Sequence, residues 1–153
     1  MDKEASEYKQ IIGRVEDTNE VLFKKIRNAP ELMQTLTPRQ FEEFVGDLLR
    51  KLGFEVSLTP ASRDGGFDLY AATNSTLGTF LYLVECKKYE RPNKVGVEVV
   101  RSLYGVLESK RATAGMIVTT SLFTKDAQDF QRQLMHKVHL HDYLKIQKWL
   151  NLI

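Results

Sequence analysis

The chain has 153 residues, of which 42% are hydrophobic and 27% are charged, and its net charge at pH 7 is +2. This composition suits one globular domain with a single core and excludes a disordered or fibrous chain. No apolar run reaches the ~18 residues that a membrane span needs, and the N-terminus lacks the charged-then-apolar plan of a signal peptide, so we expect a soluble cytoplasmic protein that engages no membrane.

The N-terminal segment predicts one helix followed by a connection. Between residues 8 and 26, apolar side chains recur at close to a helical period, and polar Thr18 and Asn19 interrupt the pattern. Such a helix needs a surface to lie against, so we interpret it as a packing or dimerisation element. We therefore divide the chain into an N-terminal part, residues 1–35, which includes a connection after the helix, and a domain formed by residues 36–153.

A second helix is predicted over residues 38–52, because a capping box begins at Thr37 and Gly53 stands where a helix ends. Its apolar side chains cluster on one side at 100° per residue. They are Phe41, Phe44, Val45, Leu48, Leu49 and Leu52. Glu42 falls at the border of this stripe, whereas Glu43 falls opposite it and is expected to face water.

The remaining sequence alternates strand and helix patterns. Strands are predicted at residues 54–58, 67–72, 79–87, 114–120 and 137–141, and helices at 95–110, 124–135 and 142–153. The turn signals "SRDGG" and "TNSTLG" separate the first three strands, and "AGMIVTT" is continuously apolar, as a strand covered on both faces requires. The order predicts an α/β fold in which helices cover both faces of a mixed sheet.

The strand at residues 79–87 is apolar at first and then ends in charged residues. Because side chains on a strand alternate between faces, Glu85 and Lys87 share one face, and Cys86 points to the other, where we expect a small buried hydrophobe. Asp68 lies on the preceding strand, directly after the two glycines of the turn. Neighbouring strands are ~4.8 Å apart, so the carboxylates of Asp68 and Glu85 can meet if the register places them side by side.

Two carboxylates at that separation would resist ionisation unless a cation compensates their charge. Mg²⁺ is the natural compensator, since it takes oxygen ligands and completes its shell with waters and substrate phosphates. It also makes a bound water easier to deprotonate near neutral pH. Lys87 would orient that water and stabilise the charge that develops on an attacked phosphate. The combination predicts a hydrolase that acts on phosphodiesters.

Each feature also has a simpler interpretation. A Glu-x-Lys on a strand is commonly a surface ion pair, and an Asp after two glycines is common turn chemistry. His139 and His141 share a face, as a pair of metal ligands would. The absence of a third ligand nearby in the sequence favours a solvated or hydrogen-bonded pair of histidines instead. Two interpretations stay open for the hydroxyls of "TTSLFT", residues 119–124: they bind a phosphate, or they cap the following helix.

Basic residues are concentrated after the Glu-x-Lys. Residues 87–111 contain seven Lys or Arg and three acids, a local net charge of +4 in a chain whose remainder is at −2. A polyanion can bind such a region although the whole protein is nearly neutral. We predict DNA phosphate contacts beside the site from Lys88, Arg91, Lys94 and Arg101. A solvated basic face is the alternative interpretation.

These residues resemble the restriction-endonuclease-like superfamily, whose pattern is an Asp, a gap and then Glu-x-Lys. More closely, the chain is similar to the Mrr-type catalytic domain of modification-dependent restriction enzymes. The matching sequence segments, in order, are "LTPRQFEEFVGDLLRKLGF", "SRDGGFDLYA", "LVECKKYERPNKVGVEVVRSLYGVL" and "AGMIVTTSLFTKDAQDF". The resemblance runs from about Leu36 to the C-terminus and leaves out residues 1–35.

The resemblance implies a three-layer fold in which helices flank a mixed central sheet. It also implies that Asp68 and Glu85 are ligands of Mg²⁺, with Mn²⁺ as an alternative, and that Lys87 is the catalytic lysine. The family's acid on the first helix falls at Glu42, which would contact the metal directly or through water. Family members have Gln or Glu at the position of Glu85, and this chain has the acid.

The implied activity is a metal-dependent endonuclease that cleaves double-stranded DNA in restriction or defence. Cleavage of both strands needs two sites, so we expect a homodimer. Larger relatives carry a separate DNA-reading domain, and a separate recognition subunit is therefore a further expectation. Two other functions stay open: a structure-selective nuclease such as a junction resolvase, and a DNA-binding or interaction module without catalysis on the same fold.

Overall fold

The computed structural model describes residues 20–59 and 66–153. The predicted N-terminal helix is therefore described only from residue 20 onward. Most of the predicted turn at residues 62–66 also lies outside the described residues.

The described residues form five helices, a 3₁₀ helix and five strands. The helices are α1 (residues 20–28), α2 (Pro38–Lys51), α3 (Val97–Leu107), α4 (Lys125–Gln133) and α5 (Tyr143–Leu152), and the 3₁₀ helix is Pro30–Thr35. The strands are β1 (Glu55–Leu58), β2 (Leu69–Ser75), β3 (Gly78–Lys87), β4 (Ala114–Thr119) and β5 (Val138–His141). From α2 onward, the order of elements is the one that the sequence predicts.

Helix α2 begins and ends where its local signals predict. The Thr37 hydroxyl accepts the Gln40 N–H at 3.1 Å, and the Gln40 side chain accepts the Thr37 N–H at 3.0 Å, which completes the capping box. Gly53 follows the helix with φ of +103°, a conformation that favours glycine. The helix packs its apolar stripe against the sheet and so fixes the position of Glu42.

The five strands form one sheet in the order β1-β2-β3-β4-β5. Strands β1, β2 and β3 are antiparallel neighbours, whereas β3, β4 and β5 run parallel. The register places Leu69 opposite Val84 and Lys87 opposite Thr119. Strands β3, β4 and β5 therefore end at one margin of the sheet, and β2 begins at the same margin.

Two apolar cores lie on the two faces of the sheet. One core packs α1, α2 and α5 against side chains such as Val84 and Cys86, and the other packs α3 and α4 against side chains such as Leu83 and Ile117. This arrangement confirms the predicted three-layer α/β fold with a mixed sheet. Among the helices of residues 20–59 and 66–153, none combines the length and apolar character needed to cross a bilayer.

Side chains bind backbone carbonyls on both outer strands of the sheet. Strands β1 and β5 are the edge strands, and some of their backbone carbonyls point away from the sheet. The bonds that satisfy these carbonyls run from Arg50 to Val56 (3.1 Å), from Gln131 to Val138 (3.0 Å) and from Lys145 to Leu140 (2.8 Å). Polar side chains therefore occupy acceptors that an added strand would otherwise use.

The hairpin between β2 and β3 is longer than the sequence predicts. Strand β2 runs on to Ser75, β3 starts at Gly78, and only residues 76–77 form the turn. Gly78 has φ of +133°, which a side chain would disfavour. The polar residues 73–75, "TNS", predicted a loop, but they pair with β3 and form the end of β2. Similarly, the expected connection before Leu36 contains the 3₁₀ helix.

Candidate active site

Asp68, Glu85 and Lys87 lie together at the sheet margin where β2 begins and β3 ends. The N–H of Asp68 donates to the carbonyl of Val84 at 2.8 Å, which continues the antiparallel ladder by one residue. The carboxylate Oδ2 of Asp68 accepts the N–H of Cys86 at 2.7 Å. The carboxylate of Asp68 is therefore held by the backbone of the residue that separates Glu85 from Lys87.

Glu85 and Lys87 form an ion pair on the face predicted from strand alternation. The Lys87 Nζ lies 3.1 Å from the Glu85 Oε1, and the two side chains are 31% and 15% exposed, respectively. Burial raises the pKa of Glu85, and the nearby charge of Asp68 raises it further, against the opposing effect of Lys87. Burial alone would lower the pKa of Lys87, but the Glu85 carboxylate, with smaller contributions from Tyr89 and Asp68, raises it overall, so the lysine is cationic at neutral pH.

The carboxylates at this margin fit a hard divalent cation. The Oε2 atom of Glu85 is buried and accepts no hydrogen bond from the described part of the chain. A buried carboxylate oxygen in that condition is costly unless a cation or an ordered water meets it. Oxygen donors from Asp68 and Glu85 are the ligands that Mg²⁺ prefers. The donor set therefore fits the metal that the resemblance implies.

Glu42 is buried in α2 and reaches the site region through Arg39. Glu42 is 1% exposed, and its Oε2 lies 3.1 Å from the Arg39 guanidinium. Arg39 also donates to the carbonyl of Thr59 at 3.3 Å, and the Thr59 hydroxyl donates to the carbonyl of Asp68 at 3.1 Å. Arg39 and Thr59 thus connect α2 to Asp68, a link that the sequence analysis missed. By contrast, Glu43 is 58% exposed, in agreement with its predicted outward position.

Across residues 20–59 and 66–153, no three or more His, Cys, Asp or Glu side chains are arranged to hold one metal ion. Asp68 and Glu85 are close enough to affect each other electrostatically. Glu42 is not gathered with them into a three-carboxylate cluster in this structure. Its role toward a metal stays a prediction.

The four basic residues predicted to contact DNA are distributed along the segment that leaves β3 and the helix after it. Arg91 stacks on the Tyr143 ring at 3.4 Å, and Arg101 lies 5.2 Å from the Phe130 ring. Lys94 lines a cavity of about 370 Å³ beside β5, together with Lys145 and Arg132 among others. Lys88 is half-buried directly after Lys87. The structure therefore places these cations along the margin and on α3, not in one compact patch.

The histidine pair on β5 is packed against an aromatic side chain. The rings of His139 and His141 lie 6.4 Å apart, and the His141 ring lies 4.5 Å from Trp149. Burial, together with the positive charge of Lys145, lowers the pKa of His141 to about 3. Cys86 is 8% exposed and belongs to the core of the α2 face, as expected.

The mixed sheet in three layers, with an Asp and a Glu-x-Lys at the ends of adjacent strands, defines a restriction-endonuclease-like domain of the nuclease class. The chain belongs to the Mrr-type catalytic family: residues 33–150 match the family Mrr_cat, described as a restriction endonuclease. The predicted family is thereby confirmed.

Individual proteins are also similar to the chain. The chain is 30% identical to the uncharacterised protein y4cE of Sinorhizobium fredii, covering 85% of this chain and 34% of that protein. It is 30% identical to the type IV methyl-directed restriction enzyme EcoKMrr of Escherichia coli, covering 78% and 41%. The DNA modification-dependent restriction endonuclease AspBHI superposes with a TM-score of 0.63 at 27% identity, covering 88% and 35%. The chain thus spans less than half of each of these proteins.

Proposed function

We propose that the chain is a Mg²⁺-dependent endodeoxyribonuclease that hydrolyses phosphodiester bonds of double-stranded DNA. One observation carries the proposal: Asp68, Glu85 and Lys87 meet at the margin of the sheet, with the Asp68 carboxylate held by the Cys86 N–H and the Glu85–Lys87 pair at 3.1 Å. Membership of the Mrr family supports cleavage of DNA as the reaction.

In this proposal, Asp68 and Glu85 would hold Mg²⁺, and Glu42 would assist from α2. When bound, the cation would supply Lewis-acid polarisation of the phosphodiester and activation of water. Mn²⁺ takes similar oxygen ligands and is expected to substitute.

Lys87 supplies a fixed positive charge next to the reacting phosphate. Its ammonium is held by Glu85, and its raised pKa keeps it protonated, so it can donate hydrogen bonds to an attacking water and to a phosphate oxygen. As water adds to phosphorus and one ester bond breaks, negative charge grows on the phosphate oxygens. A preorganised cation in a half-buried position stabilises that charge more strongly than a solvated one.

Restriction of modified DNA is the proposed biological setting. EcoKMrr is methyl-directed and AspBHI is modification-dependent by description, and the present chain is similar to a part of each. We therefore propose that reading of the modified base belongs to a separate domain or subunit. A homodimer that presents two sites would account for cleavage of both strands.

The test is cleavage of plasmid DNA by the wild type and by Asp68→Asn, with Mg²⁺, with Mn²⁺ and with EDTA. We expect the wild type to nick or linearise DNA only with a divalent cation, and the variant to lose about 100-fold or more of the rate. Asparagine keeps an oxygen that can accept the Cys86 N–H, so the fold should persist.

Matched substrates distinguish the neighbouring functions. Methylated and unmethylated plasmid test modification dependence, and a four-way junction beside linear duplex tests structure selectivity. Cleavage in EDTA, or an unchanged rate in Asp68→Asn, would refute the proposed function.

A further inference from the structure

Three buried hydroxyl residues follow one another at the end of β4. Thr119, Thr120 and Ser121 are 0%, 0% and 1% exposed, so none of them presents its side chain to solvent. The sequence left open whether these hydroxyls bind a phosphate or cap the following helix. In the structure, Thr124 caps α4, and the three earlier hydroxyls bind the backbone of the segment that leaves β3.

Thr119 binds the backbone of Lys87 itself. The parallel pairing of β3 with β4 ends at these two residues, so the Lys87 carbonyl lies at the last rung of the ladder. The Thr119 hydroxyl donates to this carbonyl at 2.7 Å, and the Thr120 N–H donates to it at 3.3 Å. The Thr119 oxygen in turn accepts the Ser121 N–H at 3.1 Å, which orients the hydroxyl.

Thr120 and Ser121 extend this attachment beyond Lys87. The Thr120 hydroxyl donates to the Tyr89 carbonyl at 2.8 Å and accepts the Tyr89 N–H at 3.0 Å, so one side chain satisfies both backbone groups of that residue. The Ser121 hydroxyl donates to the Asn93 carbonyl at 2.5 Å. From the side of the 3₁₀ helix, the Gln34 amide donates to the Thr120 carbonyl at 2.9 Å.

This arrangement bears on the position of Lys87. The last residue of a strand has lost its ladder on one side, and backbone at such ends opens locally at low free energy. A lysine also has a long flexible side chain, so a mobile backbone would further widen the range of positions that its ammonium group occupies. A misplacement of about 1 Å in a reacting site can cost about 100-fold in rate. The buried hydroxyls replace the missing rungs and hold the backbone of Lys87.

We infer that Thr119 and Thr120 are positioning residues for Lys87: their hydroxyls fix the end of β3 so that the lysine ammonium stays beside Glu85. The inference rests on the proposed function, because it takes Lys87 to act in cleavage. A purely structural role would instead make the hydroxyls stabilise the fold without a specific effect on the chemical step.

The experiment compares Thr119→Val, which keeps shape and removes the hydroxyl, with Thr119→Ser, which restores it. Thr124→Val is the matched control, because it removes another threonine hydrogen bond, the cap of α4 to the Ala127 N–H. We expect Thr119→Val to lower the single-turnover cleavage rate about 10-fold to 100-fold with unchanged affinity for DNA. Thr119→Ser should recover most of the rate, and Thr124→Val should stay within about twofold of the wild type, because the Thr124 hydroxyl binds α4 and not the backbone of Lys87 or Tyr89.

A double variant tests whether the effect passes through the lysine. Because Lys87→Gln already removes the ammonium, adding Thr119→Val should lower the residual rate little further. Wild-type cleavage by Thr119→Val, or equal losses in Thr119→Val and Thr124→Val, would overturn the inference.

A readout without DNA separates this inference from the proposed function. If the wild type fails to cleave DNA, the proposed function fails, and backbone dynamics then decide the positioning claim. The amide order parameters of Lys87 and Tyr89 should fall in Thr119→Val and in Thr120→Val, and remain unchanged in Thr124→Val. Rigid amides in all three variants would show that the hydroxyls do not hold the end of β3.

Discussion

At the scale of single residues, His141 is the clearest case of a titratable group held in one protonation state. Its ring packs against Trp149, and its Nδ1 atom is buried and makes no hydrogen bond to the described residues. Burial, with the charge of Lys145, lowers its pKa to about 3. In the unfolded chain the same imidazole takes a proton below a pH of ~6.5. Folding therefore excludes a proton that the unfolded chain accepts.

This difference predicts a loss of stability in mild acid. The stability linked to His141 is complete above pH ~6.5 and decreases as the pH falls toward 3, because the unfolded state gains the proton first. Between pH 7 and pH 5 the free energy of unfolding should fall by about 2 kcal/mol from this residue. Urea unfolding at the two pH values measures it in the wild type and in His141→Phe, whose ring can pack but not titrate.

The control for this measurement is His136→Asn. His136 is exposed and has φ of 71°, a conformation that asparagine tolerates. It should retain the wild-type dependence on pH, whereas His141→Phe should lose less stability in acid than the wild type. Equal losses in the wild type and His141→Phe would assign the acid sensitivity to other groups.

Adjacent glutamates on α2 offer a second test at this scale. Glu42 is buried and paired with Arg39, which connects through Thr59 to Asp68, whereas Glu43 is exposed. If Glu42 acts in the site, Glu42→Gln should lower cleavage about 10-fold or more, since the site loses a charge but keeps its shape. Glu43→Gln should change the rate less than twofold. Equal rates in the two variants would remove Glu42 from the site.

At the scale of elements, α2 depends on its cap. The reciprocal bonds between Thr37 and Gln40 satisfy two N–H groups that the first turn of a helix leaves without partners. Thr37→Ala should therefore lower the free energy of unfolding by about 1 kcal/mol, and Thr37→Ser should retain most of it. Thermal or urea unfolding checks both variants. A wild-type midpoint in Thr37→Ala would show that the cap contributes little here.

The elements also show which features a sequence can predict. The predicted bounds of α2 agree closely with the structure because capping and periodicity are local signals, and the shared face of Glu85 and Lys87 follows from strand alternation alone. The approach of Asp68 to Glu85 could be predicted only on condition of the right register between β2 and β3, and the bond from the Cys86 N–H to Asp68 was not predicted. The use of the Thr119 hydroxyl was not predictable, because it depends on parallel pairing across 32 residues of chain.

At the scale of the whole molecule, the distribution of charge governs the proposed encounter with DNA. Lys88 and Lys94 lie on the segment that leaves the margin with Glu85 and Lys87, whereas Lys110 follows α3 near the start of β4, at the opposite margin of the sheet. We expect the first two to contact phosphates and the third to make no such contact. The prediction rests on the topology, since all three belong to the same basic stretch of sequence.

The measurement is the salt dependence of binding to a catalytically inactive background, Asp68→Asn. Lys88→Gln and Lys94→Gln should each weaken binding for any DNA sequence and lower the slope of log K against log salt by about 1. Lys110→Gln should leave the slope at its value for the background. A slope that falls equally for all three variants would indicate that the basic residues attract DNA through their overall charge and not through contacts at defined positions.

The capped edges of the sheet bear on how two copies could assemble. Because Arg50, Gln131 and Lys145 already occupy outward carbonyls of β1 and β5, joining two sheets into one continuous sheet would first break these bonds. A symmetric pair is therefore expected to meet through helices or loops. Such a pair would keep two separate five-stranded sheets. The contacts between those helices or loops would set the distance between the two proposed active sites, and that distance would fix the stagger between the two breaks in a duplex.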